Sequence, residues 1–495
     1  MYFICYKIVM ITYIYLGLVL LPFFGAFCLT IINYKNFILQ RFVAFFISCL
    51  TLIFSLLLWV FFDSSTAVFQ FLFNLKWFSI LNINYILGID GISLFFIILT
   101  AFLIPLCLLV SWNYSSLYLK EYLISFLILE GFLFQVFSVL DIFLFYIYFE
   151  SVLLPMFFIV GIWGSRERKI RAVYQLFLYT IVGSIIMLLA ILTIYFETGT
   201  TNLQTLWNIE FSEFRQIFLW ISFFLAFAVK IPMPPFHIWL PEAHSEAPTA
   251  GSVILAGILL KLGGYGFLRF SLTLLPLACN FFLPFIYLLS ILAIIYASLS
   301  TLRQIDLKKA IAYSSIAHMG LVTLGLFSES SIGIEGGIHL MISHGLVSSA
   351  LFLCIGIIYD RYKTRIIKYY GGLTQFMPLF STFFLFFSFA NVGFPCTISF
   401  ISEFLIFLGI YLAQSTLAVF AGVGMLLSVA YSIWLFNRVC FGFLKNYYIL
   451  KFQDLTRREF WLLFPIVIVV IWLGVYSNII IGSIHFSVLN LLNFY

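Results

Sequence analysis

Long apolar runs separated by short polar segments make up most of the sequence. Fourteen runs approach or exceed the roughly 20 residues that a helix needs to cross a hydrocarbon layer. They lie near 8–30, 42–62, 92–112, 121–139, 142–163, 172–196, 214–241, 248–271, 280–300, 308–327, 335–358, 376–411, 415–440 and 460–482. A closed barrel is the other fold that satisfies its own backbone in lipid, but the runs are too long and lack the strict alternation of barrel strands. The pattern predicts an all-α polytopic membrane protein with 14 transmembrane helices. Residues 8–30 read as the first span, not as a cleavable transit peptide, which would be Arg-rich and amphipathic. The longest stretch between runs, 63–91, is itself fairly apolar, so a single membrane domain over 1–495 is expected.

Composition strengthens this reading. The chain is 64% hydrophobic and 9% charged, whereas soluble domains carry about 25% charged residues; lipid is therefore its solvent. The 63 Phe and 28 Tyr residues suggest an AT-rich genome, either an organelle's or that of an AT-rich bacterium. The net charge of +6 does not point to nucleic acid, because the basic residues sit in short loops. Of 25 Lys and Arg residues, 19 fall after odd-numbered spans, from Lys35 and Arg41 through Arg166, Lys308, Lys309, Arg361 and Arg365 to Lys451, Arg457 and Arg458. Lys7, Lys76, Arg215 and Arg269 fall on the opposite side with Asp63, Asp90, Glu197, Glu329 and Glu335. A miscounted span would scramble this alternation. By the positive-inside rule the odd loops face cytoplasm or matrix, and both termini face the other side.

Two spans are irregular. The seventh contains Pro232, Pro234, Pro235 and Pro241; each proline removes a backbone donor and clashes with the preceding turn, so this helix must be broken. The twelfth is overlong, with Asn391, Gly393 and Pro395 at its middle. The breaks lie five spans apart, so the two helices run oppositely, as in inverted-repeat transporters. The expected layout is spans 1–3 in 8–112, a first five-helix repeat (spans 4–8) in 121–271, a second (spans 9–13) in 280–440, and span 14 in 460–482.

With the loop charges set aside, Glu130, Glu150, Lys230, Lys261 and Glu403 remain inside spans. A charge at mid-bilayer costs about 2.5–3.5 kcal/mol on the insertion scale, so such residues pair with one another or mark ion pathways. Burial disfavours a charged side chain and a nearby opposite charge restores it; a buried lysine whose glutamate can withdraw thus has two proton affinities, which is what a pump element requires. The competing reading is structural ion pairing, which weakens when four such residues occupy different spans and two of them stand at helix breaks. Glu130, in the short fourth span, is the weakest member of the set. His318 and His344 lie mid-span, where an imidazole can pass protons near neutral pH, or can simply be bonded within the core. His339 stands nearer the start of its span and reads as a core residue, while His237 and His244 are expected to shape an aqueous mouth beside the prolines. Cys5, Cys28, Cys49, Cys107, Cys279, Cys354, Cys396 and Cys440 are scattered singly and read as buried fillers. No metal-ligand spacing, nucleotide-binding glycine loop or iron–sulfur motif is present.

Several segments closely resemble the antiporter-like membrane subunits of respiratory complex I. They are Phe149-Glu150-Ser151-Val152-Leu153-Leu154-Pro155-Met156, Phe227-Ala228-Val229-Lys230-Ile231-Pro232, His237-Ile238-Trp239-Leu240-Pro241-Glu242-Ala243-His244, Leu259-Leu260-Lys261-Leu262-Gly263, Asp306-Leu307-Lys308-Lys309-Ala310, Ser343-His344-Gly345 and Ser402-Glu403-Phe404. The likeness runs from about residue 80 onward and is strongest to the mitochondrial chains of plants and protists. It implies a proton-translocating subunit of an NADH:ubiquinone reductase, with Glu150 paired to Lys230, Lys261 as central relay, His318 and His344 between that relay and the exit, and Glu403 linking to the outer side. Position 339 is apolar in the resemblance, so His339 is left out of these roles. No cofactor is implied for this chain; FMN, iron–sulfur clusters and ubiquinone belong to partner subunits. The implied partners are other membrane-arm subunits, sister antiporter-like chains among them, and membrane lipids such as cardiolipin. The implied location is the mitochondrial inner membrane, with the bacterial plasma membrane as alternative. A subunit of a multisubunit cation/proton antiporter and a non-conducting scaffold are the competing functions.

Overall fold

The computed structural model describes residues 2–78, 81–113, 118–445 and 453–493, with side chains from residue 12 onward except Asn113. The side chains of Cys5 and Lys7 and the whole of Lys451 lie outside these residues. Among the described residues, 11 helices are long and apolar enough to cross a membrane, from Thr12–Ile31 to Arg457–Val475. Peripheral helices such as Phe37–Phe61 and Ser415–Cys440 bury a third of their apolar window, whereas Thr249–Leu274 and Ser331–Tyr362 are buried throughout. These two central helices carry Lys261, His339 and His344. A Cβ on Gly345 would lie 2.9 Å from the Gly257 carbonyl oxygen, so the helices touch through backbone that only glycine leaves open.

Both expected breaks are present. Helix Glu213–Lys230 ends in a turn and resumes as Trp239–Glu246. Pro232 has no N–H for the Ala228 carbonyl, and Met233 donates to it instead (2.9 Å). The indole N–H of Trp239 donates to the Val229 carbonyl (3.0 Å), closing the break. The twelfth run divides into Pro378–Val392 and Ile398–Ala413 around Gly393, whose φ is +80°. Two further irregularities had no signal in the apolar pattern. The fifth run is interrupted at Val152, between Ile142–Ser151 and Leu153–Trp163. The eighth contains two π-helical segments, Leu255–Leu259 and Phe267–Ser271, on either side of Leu260–Gly266.

Three expectations are corrected. Segment 63–91 holds an antiparallel hairpin, Gln70–Phe78 with Ile83–Ile89, so the fold is helical with one small sheet. The hairpin's apolar second strand is pinned where Leu140 N–H donates to the Ile86 carbonyl (2.9 Å). The last run ends at Val475, and Asn478–Leu492 forms a separate helix against Gly91–Val110 and Ser331–Tyr362. Cys107, Cys279, Cys354 and Cys440 are buried, but Cys396, in the second break, is exposed.

The ion pairs provide an independent check on the charge map. Arg215–Glu197 and Asp90–Arg269 join residues assigned to the side poor in basic residues. Lys309–Glu242 (2.6 Å) and Arg361–Glu459 join residues of the basic side.

Candidate functional site

Lys261 is completely buried on the short α-helical turn between the two π segments. A π turn leaves a carbonyl without its usual partner, a feature frequent at functional sites; here Lys261 Nζ donates to the Ala256 carbonyl (2.5 Å). The glycine contact between the central helices brings the same Nζ within 2.9 Å of His344 Nδ1. The His344 ring is 5.7 Å, centroid to centroid, from that of His318 on Leu307–Leu326. His318 Nδ1 lies 3.5 Å from Glu403 Oε1, and its Nε2 lies 3.4 Å from the Tyr431 hydroxyl. These last separations are long for hydrogen bonds. A cavity of about 10 Å³ borders His318, Glu403 and Tyr431, close to the space that one water needs. Glu403 itself packs over the second break: a Cβ on Gly393 would meet its Oε2 at 2.5 Å. Thus Lys261, His344, His318 and Glu403, drawn from four helices, form one buried line.

Glu150 and Lys230 stand at the other end. Lys230 is the last residue before the first break, and its Nζ lies 4.5 Å above the Phe149 ring centroid. Glu150 and Lys230 are within electrostatic range of each other. Among the described residues, however, no ion pair within 4 Å joins them, and Glu150 Oε1 is buried without a hydrogen-bond partner. The expected pair is therefore coupled through space without direct ion-pair contact. The break adjoins the Lys261 helix at Gly263, where a Cβ would meet the Phe227 carbonyl oxygen at 2.8 Å.

Glu130 lies apart from this line. It is fully buried and accepts a hydrogen bond from Thr51 Oγ1 (2.6 Å), with Oε2 unpartnered. His237 and His244 are both buried and packed against aromatic rings. His237 packs edge-on to Tyr296, and His244 is fully buried, stacked on Phe352 at 4.7 Å, with both ring nitrogens unpartnered. The charges of Lys261 and Lys308 both reach His244. Lys308, read as a loop charge, is buried and donates to the Ala247 carbonyl (2.7 Å) and Ser252 Oγ (3.2 Å). Asp90 and Arg269, also read as loop charges, form a buried ion pair. The Asp90-x-x-Ser93 capping box (3.0 and 2.9 Å) was the available signal that Asp90 has a fixed structural place. Nothing comparable marked Lys308.

The model of the NADH:quinone oxidoreductase/Mrp antiporter membrane family matches residues 140–428, which include every residue of the line. The NADH-ubiquinone oxidoreductase chain 4 of Chondrus crispus is 65% identical over 473 residues, 96% of both chains. The chain belongs to this family. Its chain 4 relative from Arabidopsis thaliana is 59% identical, again over 96% of each chain. Among solved structures, a chain of the family fold in respiratory complex I from Thermus thermophilus with bound NADH has a TM-score of 0.86 at 28% identity, covering 97% of this chain and 99% of that one. The Mrp complex from Dietzia, at 18% identity and a TM-score of 0.82, shares the fold. Family membership makes the chain a helical, multi-pass membrane protein of the complex I type.

Proposed function

We propose that this chain is the proton-translocating chain 4 subunit of a respiratory complex I, coupling electron transfer in other subunits to proton movement across the membrane. The observation that carries this reading is the buried line from Lys261 through His344 (2.9 Å) and His318 to Glu403 (3.5 Å). Structural ion pairing alone calls for none of this alternation of lysine, imidazole and carboxyl groups, whereas proton transfer needs groups at hydrogen-bond distance or one water apart.

Charge changes elsewhere in the complex would move Glu150 relative to Lys230. When Glu150 withdraws, Lys230 holds its proton less tightly and passes it toward Lys261. His344 and His318 then relay it to Glu403, with Tyr431 as a further hydroxyl beside His318. His244 is a second feeder: it lies within electrostatic range of both Lys308, on the basic side, and Lys261. Glu130 has no step in this sequence.

The 11 apolar helices, Leu307–Leu326 and the two broken segments support a count of fourteen spans and an inverted-repeat layout. In this reading spans 4–8 and 9–13 are the two repeats. The partners are other membrane-arm subunits, among them sister antiporter-like chains, and FMN, iron–sulfur clusters and ubiquinone reside in subunits other than this one. The Phe-rich composition and the likeness to plant and algal chains favour the mitochondrial inner membrane.

The test is Lys261→Ala in the assembled complex, with NADH oxidation and proton uptake measured in sealed membrane vesicles. Loss of part of the pumped protons per NADH with assembly intact is expected. Unchanged pumping would leave a scaffold as the better description.

A further inference from the structure

Beyond the line ending at Glu403, ionisable groups recur on the outer half of Ser331–Tyr362. His339 is fully buried and both its ring nitrogens lack partners, an arrangement that a core histidine held by a backbone carbonyl does not show. One turn toward the basic-poor side stands Glu335, also buried, whose Oε1 lies 2.6 Å from His485 Nδ1 on the last helix. The His485 side chain is 46% exposed. One turn the other way stands Ser343, whose hydroxyl is 3.3 Å from that of Ser402, the residue preceding Glu403. Residues four apart share a helix face, with Cβ atoms about 5–6 Å apart. Glu335, His339 and Ser343 therefore form a polar ladder running from the centre to an exposed imidazole.

Directly outward of Glu403 the packing is closed. A Cβ on Gly409 would lie 2.4 Å from Gly333 Cα, and one on Gly336 would lie 2.8 Å from the Ile406 nitrogen, so the two helices meet backbone to backbone with no room for water. The other charged and histidine groups on elements packed against this helix are Lys261, His318 and Glu403 at mid-depth, and Lys308, Lys309, Arg457, Arg458 and Glu459 toward the basic end. Asp90, on the outer side, is engaged by Arg269, and Glu329 lies in the loop before the helix.

We propose that His339, Glu335 and His485 form the outer-side branch through which protons leave the Lys261–Glu403 line, entered by way of the Ser402 and Ser343 hydroxyls. This rests on the proton-translocating reading. Each hop conserves the proton. A hydroxyl accepts one and gives up its own; His339 takes one on one ring nitrogen and releases one from the other. The Glu335 carboxylate accepts it and hands it to His485 Nδ1 while His485 Nε2 releases one to water.

The experiment compares Lys261→Ala, His339→Gln, Glu335→Gln and His485→Gln in the assembled complex, reading pumped protons per NADH in sealed vesicles and assembly on native gels. The branch predicts that each glutamine variant assembles and loses the same fraction of pumped protons as Lys261→Ala, with partial recovery in Glu335→Asp. Wild-type pumping in His339→Gln and Glu335→Gln, with loss in Lys261→Ala, overturns the branch and leaves the main reading intact. Wild-type pumping in Lys261→Ala itself overturns the main reading. If the buried variants fail to assemble, His485→Gln decides, since its side chain is exposed and carries little packing: wild-type pumping there overturns the branch.

Discussion

Lys261 and His344, 83 residues apart in sequence, meet at 2.9 Å across the two most deeply buried of the apolar spanning helices among the described residues. The contact depends on both side chains and equally on backbone that approaches closely beside each of them. His344→Gln retains an acceptor for Lys261 but cannot carry a proton through a ring. We expect the complex to assemble with NADH oxidation uncoupled from part of its proton uptake, which vesicle pumping assays read directly. Full coupling in this variant would remove His344 from the path.

Gly345→Ala tests the geometry without touching an ionisable group. The added methyl would lie 2.7 Å from Leu99 Cδ2 and 2.9 Å from the Gly257 carbonyl oxygen, so the helices must separate. Overpacking of this kind costs about 1–3 kcal/mol. A lower melting temperature together with lower pumping is expected. A drop in stability alone would show that the Lys261–His344 distance tolerates the shift.

The pair Asp90–Arg269 is buried, with side chains 4% and 1% exposed, and Arg269 Nε also donates to the Tyr265 hydroxyl (3.2 Å). Removing one partner leaves an uncompensated charge, which costs about 3–5 kcal/mol. Asp90→Ala is expected to impair assembly severely, and Asp90→Ala with Arg269→Met to recover much of it. Native gels of the single and double variants measure the coupling. Equal defects in both would show that the pair is not what holds the Gly91–Val110 and Thr249–Leu274 helices together.

Gly393 adopts a left-handed φ of +80° at the second break, and a Cβ there would meet Glu403 Oε2 at 2.5 Å. Gly393→Ala adds about 1–2 kcal/mol of backbone strain and displaces the carboxyl. Reduced pumping is expected, larger than that of a surface glycine control such as Gly422→Ala, whose added Cβ meets nothing within 4 Å.

Glu130 offers the opposite expectation. Its one hydrogen bond, from Thr51 (2.6 Å), survives replacement by a glutamine carbonyl. Glu130→Gln should assemble and pump close to normally, as pumped protons per NADH would show. A loss matching that of Lys261→Ala would bring Glu130 into the path.

The sequence alone determined which residues are costly in lipid, where two of the helices must break and how the loop charges alternate. These follow from short-range physics: apolar run length, proline's missing donor, and the bias of basic residues among loops. Lys230, Lys261 and Glu403 were legible for that reason, and so were the breaks at Pro232 and Gly393. Adjacency was not legible. That Lys261 meets His344, that Glu150 stands off from Lys230, and that Asp90 reaches Arg269 across 179 residues depend on helix–helix contacts between distant segments. Those contacts are set by where glycines let backbones approach and by π turns that rotate a side chain without changing its hydropathy. Loop charges such as Lys308 look alike in sequence whether they face water or turn inward, and only the tertiary packing that buries them distinguishes the two. His339 is the clearest case: a lone histidine in an apolar run is an ordinary core residue until the structure sets it between Ser343 and the Glu335–His485 pair with both ring nitrogens free.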